Sequence, residues 1–191
     1  MSQSTSARPL LLLVLLRGII SCSSGLLLPN IGEKVVTHAK TGAEVTEWLE
    51  EHVSVPCVLG FDTETRPSFV KGRLNPPAVV QLSTMDACLV AQIFVAENKR
   101  VGSKNNRQTV AIPLEEREGA EGVRDALEET LESRNIIKAG VGIDDDAIDL
   151  WQFWGLEMNA RLDLAGDERP PRGLAYLLHA STGIEMAKPG A

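Results

Sequence analysis

The residues with the clearest capacity for chemistry are carboxylates. Asp62 and Glu64 stand at positions i and i+2, at the end of the apolar run Cys57-Val58-Leu59-Gly60-Phe61. In a strand that spacing puts both side chains on one face, where they can share a cation. Oxygen ligands suit hard ions such as Mg²⁺ or Mn²⁺, and two-ion hydrolysis of a phosphodiester needs several carboxylates converging on metals ~3.5–4 Å apart. A second acidic group, Asp144-Asp145-Asp146, opens an apolar-periodic stretch. Acids at that place also suit the positive end of a helix dipole, so capping accounts for part of the run. An Asp-x-Glu alone is a common pattern and equally fits a strand end that runs into a polar turn.

The elements that must position these acids follow from periodicity. Val45, Trp48, Leu49 and Val53 recur at helical spacing over residues 43–53. Pro56 leads into a strand that ends at Asp62, and a Pro- and Gly-marked loop from Arg66 to Pro77 follows. Two strand-like runs come next, Val79 to Ser83 and Cys88 to Val95, parted by a turn at Thr84-Met85-Asp86. The polar stretch Glu97 to Gln108 reads as a long exposed loop. Val123, Leu127 and Leu131 mark a helix over residues 120–133, followed by a strand Ile136-Ile137-Lys138-Ala139 and the turn Gly140-Val141-Gly142. The helix that opens in the acid run has Ala147, Leu150, Trp151 and Trp154 as its expected buried stripe. Arg161 to Leu164 reads as a short strand and Arg172 to Ala180 as a last helix. This order predicts an α/β protein, a mixed sheet covered by helices.

With the elements in order, the motifs become more specific. Gly60-Phe61-Asp62-Thr63-Glu64, the loop residues Lys71-Gly72-Arg73 and the strand Val79-Val80-Gln81-Leu82 together resemble the first exonuclease motif of the DEDD superfamily, in its Werner syndrome exonuclease-like branch. Further on, Lys138-Ala139-Gly140-Val141-Gly142-Ile143-Asp144-Asp145-Asp146 is similar to that branch's second motif. The resemblance covers roughly residues 33–188 and implies a ribonuclease H-like fold. It implies 3′→5′ hydrolysis of DNA or RNA from a 3′ end, with two Mg²⁺ or Mn²⁺ ions and no small-molecule cofactor. Matched residue by residue, it makes Asp62, Glu64 and Asp146 the catalytic metal ligands and puts Lys71 and Arg73 along the path of the nucleic-acid strand; a solvated loop is the plain alternative for those two. Lys138 would help shape the second motif, or lie on the surface.

The branch's third motif, Tyr-x-x-x-Asp, has no counterpart in this sequence. Tyr176 is the one tyrosine, and Ala180 stands four positions on. Asp163 is a possible stand-in, although an acid at a strand edge explains it as well. The expectation is therefore a domain that lacks the helix carrying this motif. The alternative function is a catalytically impaired nucleic-acid-binding remnant of the same fold.

Bulk properties constrain the reading without deciding it. A length of 191 residues suits one α/β domain. The net charge of −7 argues against a protein that holds nucleic acid by a broad basic surface, but a carboxylate metal site is acidic by nature. Cys22, Cys57 and Cys88 are too scattered for a zinc site or disulfide framework; Cys57 and Cys88 should be buried free thiols. His38, His52 and His179 show no ligand spacing. Residues 1–32 hold no Asp or Glu, carry Arg8 and Arg17 around the apolar run Pro9 to Leu16, and continue into a serine-rich stretch. The run is too short to span a bilayer. It reads as a targeting segment, mitochondrial or plastid, with a secretory signal or a start codon assigned too far upstream as the alternatives.

Overall fold

The structure, a computed structural model, describes residues 35–65, 75–101, 108–112, 122–166 and 173–182. The expected targeting segment 1–32 and the pair Lys71 and Arg73 lie outside the described residues. In chain order the elements are β1 (Val35–Ala39), α1 (Gly42–His52), β2 (Cys57–Thr65), β3 (Pro77–Ser83), β4 (Ala87–Gln92), β5 (Val95–Val101), β6 (Gln108–Ile112), α2 (Val123–Glu132), β7 (Ile136–Gly140), α3 (Ile143–Trp154), β8 (Arg161–Asp163) and α4 (Leu174–Thr182). Six strands form one sheet in the order β1-β4-β3-β2-β7-β8, and β5 and β6 pair separately. The β2–β3 and β3–β4 pairs are antiparallel, whereas β1–β4, β2–β7 and β7–β8 are parallel. The sheet is mixed, as expected for this α/β pattern.

Register explains which face is covered. Phe61 pairs with Leu82, which pairs with Leu89, and Leu59 pairs with Lys138 on the other side of β2. Side chains on this face are essentially inaccessible and form the core with Val45, Trp48, Val123, Leu127, Leu131, Ile143 and Leu150 from the helices. Each large apolar side chain so buried contributes ~1.5–3 kcal/mol. Helix α1 begins in a capping box, in which Thr41 and Glu44 satisfy each other's backbone N–H groups. It meets the start of α2 so closely that a Cβ on Gly42 would lie 2.5 Å from the Gly122 carbonyl oxygen.

The C-terminus of α2 is closed by side chains from further along the chain. The last carbonyls of a helix have no partner within it. Here Lys138 Nζ donates to Thr130 O (3.3 Å) and Ser133 O (2.8 Å), while Asn159 donates through its backbone N to Leu131 O (3.0 Å) and through Nδ2 to Glu132 O (3.0 Å). A third bond from Nζ goes to Ile136 O at 2.8 Å, which matches the three donors of an ammonium to three acceptors. Lys138 is therefore fully buried, not a surface residue. Burial pushes its pKa down to about 8, with the Arg161 charge acting the same way and Cys57 opposing.

Three other expectations are corrected. Trp151 is 61% exposed and does not belong to the buried stripe of α3. That stripe is Ile143, Ala147 and Leu150, continued by Trp154, whose ring lies 5.8 Å from Phe94 and whose Nε1 donates to Pro77 O at 3.1 Å. Trp151 sits one residue, about 100°, around the helix from Leu150. Of the expected loop Glu97 to Gln108, Glu97 and Val101 lie in β5 and Gln108 in β6, paired as Glu97↔Val110 and Val101↔Gln108, and residues 102–107 lie outside the described residues. Cys88 is buried, but Cys57 is only half-buried; both are free thiols.

Candidate carboxylate site

Strand β2 is longer than its neighbour β7, and the site is built in the difference. Their register runs from Cys57↔Ile136 to Gly60↔Ala139. At the end of β7, Gly140 presses against β2 so tightly that a Cβ there would stand 2.6 Å from the Phe61 carbonyl oxygen. Beyond that contact the β7-side edge of β2 carries no ladder partner among the described residues. On its other edge β2 stays paired to β3, with Asp62 opposite Gln81 and Glu64 opposite Val79. Gln81 is nearly inaccessible, at 5% exposed. Asp62 is thus held by a central strand while one flank remains open.

The first turn of α3 comes into that opening. Gly142, in the left-handed region at φ 72°, turns the chain from β7 into the helix. Asp163 at the end of β8 fixes this turn: its Oδ1 accepts the N–H of Gly142 (3.2 Å) and that of Ala165 (2.8 Å). That carboxylate is committed to backbone, which explains Asp163 as a structural acid. Within the acid run the three positions differ. Asp144 is paired with Arg161 at 2.7 Å, Asp145 is exposed, and Asp146 is partly buried and accepts at Oδ1 from the Thr63 hydroxyl at 2.5 Å.

Asp62 and Asp146 are close enough for charge on neighbouring acids to act on each, with Glu64 contributing to both. Burial, then the charges of Asp146 and Glu64, push the Asp62 carboxyl up to about 7, against a bond from the Thr63 backbone N–H. Burial likewise raises Asp146 to about 6; the Thr63 hydroxyl opposes this, and Asp149, Asp145 and Glu64 add to it. No cation among the described residues acts on either shift. Among the described residues no three His, Cys, Asp or Glu side chains are already gathered closely enough to hold a metal ion. The donor set itself suits a hard divalent cation, because it is all oxygen and its crowded negative charge has no positive partner among these groups.

Spacing alone assigns no supporting role to Thr63 or Asp163. Alternation puts Thr63 on the strand face away from Asp62 and Glu64, so nothing local marks it. The Asp163 contact depends on β8 lying beside β7.

No family model matches the chain, and no curated protein matches it in sequence. Solved structures do. RNase D of Trypanosoma brucei aligns at TM-score 0.61 over 83% of this chain and 50% of its own, with 13% identity. Its complex with GMP aligns at TM-score 0.57 over 78% and 42%, also with 13% identity. The EXD2 exonuclease domain soaked in Mg and GMP gives TM-score 0.45 over 68% and 55%, with 21% identity. The chain thus spans about half the length of these structures. The likeness to RNase D shows the fold, a ribonuclease H-like α/β sheet. Among the described residues no helix is long and apolar enough to cross a membrane.

Proposed function

We propose that the chain is a metal-dependent 3′→5′ exonuclease acting on nucleic acid. The observation that carries this reading is the coupling of Asp62, Glu64 and Asp146 at the open edge of β2, within a fold that RNase D shares. Asp62 and Glu64 from β2 and Asp146 from α3 would hold Mg²⁺ or Mn²⁺. When bound, such ions supply an activated water and charge stabilisation at the leaving oxygen.

The chain's own part is binding and orientation. Asp62 is fixed by the β3 ladder, and Asp146 by its bond to Thr63. With no cation present, Asp62 at about 7 stays partly protonated near neutral pH and Asp146 at about 6 less so, and loading with metal competes with those protons. Lys71 and Arg73, which follow the first motif, would guide the phosphates of the strand being shortened. Direction and substrate rest on the motif resemblance.

The test is hydrolysis of single-stranded DNA and RNA with Mn²⁺ or Mg²⁺, with and without chelator, by the wild-type chain and Asp62→Ala. Activity should require the ion and Asp62. Activity that survives both chelator and Asp62→Ala overturns the reading.

A further inference from the structure

We propose that Thr63 is a positioning residue of the carboxylate site, holding through its hydroxyl one oxygen of Asp146 at the end of β2 that carries Asp62 and Glu64. The inference rests on the metal-site reading above and adds a residue to it.

Thr63 stands between Asp62 and Glu64 in sequence, and its Oγ1 donates to Asp146 Oδ1 at 2.5 Å. The contact joins elements far apart in sequence, the paired strand β2 and the first turn of α3. An aspartate on a helix turn rotates freely about χ1 and χ2 unless something holds it. Thr63 is a rigid donor: it is β-branched, with restricted χ1 in a strand, and its backbone is fixed by the Thr63↔Val80 pairing with β3. Engaging one carboxylate oxygen leaves the other available to a cation. Groups that bond to a ligand in this way set its direction and are worth as much as tenfold to hundredfold in metal affinity. The hydroxyl is not itself a ligand in this arrangement, since alternation puts Thr63 on the opposite face of β2 from Asp62 and Glu64.

Three substitutions separate positioning from a merely structural staple between β2 and α3. Thr63→Val keeps the shape and the backbone N–H but removes the donor. Thr63→Ser restores the donor. Asp62→Asn reports on the site itself. Mn²⁺ binding, followed by electron paramagnetic resonance of the free ion and independently of any substrate, should weaken about tenfold or more in Thr63→Val and stay near wild type in Thr63→Ser. Wild-type Mn²⁺ affinity in a folded Thr63→Val chain overturns the inference alone, provided Asp62→Asn abolishes binding. Failure of the wild-type chain to bind Mn²⁺ overturns the metal-site reading and this inference with it. If Thr63→Val does not fold, Thr63→Ala takes its place with the same readings.

Discussion

Asp163 accepts the backbone N–H of Gly142 at 3.2 Å, so the short strand β8 holds the residue from which helix α3 starts. A second bond, from Ala165 N at 2.8 Å, keeps the carboxylate in place. Asp163→Ala should cost about 1–3 kcal/mol of stability by stranding two amide donors, whereas Asp163→Asn retains an acceptor oxygen and should cost less. Urea unfolding of the two variants measures this. Mn²⁺ binding lost in a folded Asp163→Asn chain would instead make Asp163 a ligand.

Lys138 ties three carbonyls together in the core. Lys138→Met removes their donor, at a penalty partly offset by no longer burying an ammonium. We expect a net loss of about 2–4 kcal/mol. Lys138→Arg should not rescue it, because a planar guanidinium cannot meet three convergent acceptors as a compact ammonium does. Denaturant midpoints for both variants, with helix content monitored, provide the check.

Gly140 is the contact point of β7 with β2. A Cβ there would lie 2.6 Å from the Phe61 carbonyl oxygen, a backbone atom that can yield only if the strands shift. Gly140→Ala should destabilise the chain by about 1–3 kcal/mol. It should also weaken Mn²⁺ binding in the fraction that folds, because the same shift changes where α3 meets Asp62. Gly142→Ala has open space around it and meets only the backbone penalty of φ 72°, about 1 kcal/mol. Equal effects of the two substitutions would contradict this distinction.

The raised carboxyls make the stability of the metal-free chain depend on pH. Asp62 moves from an ordinary 3.8 to about 7, and Asp146 to about 6. Between those limits the folded chain binds more protons than the unfolded one, so stability falls as pH rises through the window. The penalty is absent below the unfolded value and complete above the folded one. Asp62→Asn should therefore show a shallower decline than wild type between about pH 4 and 7, and saturating Mg²⁺ should flatten the wild-type curve. Thermal melts across that range decide it; superimposable slopes for wild type and Asp62→Asn would refute the coupling.

Much of this arrangement is legible in the sequence where it depends on local pattern. The apolar run ending at Asp62 and the glycine turn leading to Asp146 name their own elements, and the strand–helix order implies the mixed sheet. What escapes the reading depends on partners far along the chain. Thr63 reaches Asp146 only because β7 stops opposite Gly60, a matter of register. Lys138 is buried because α2 ends above it and offers unpaired carbonyls, which no property of a lysine in a strand announces. Trp151 shows the converse: large apolar residues at neighbouring helical positions look alike in sequence, and only packing against β2 and β3 selects Leu150 and Trp154. Strand β1 is short and exposed along most of its length, so its alternation carries little hydrophobic signal.

The most direct test of the central claim is the course of digestion of a 5′-labelled single-stranded oligonucleotide in Mn²⁺. Stepwise loss of length from the 3′ end, with nucleoside monophosphates as products and no reaction by Asp62→Ala, is the result predicted here. Internal cleavage, shortening unaffected by Asp62→Ala, or an intact substrate with a folded, Mn²⁺-loaded wild-type chain would contradict it; the last outcome would favour the catalytically impaired alternative.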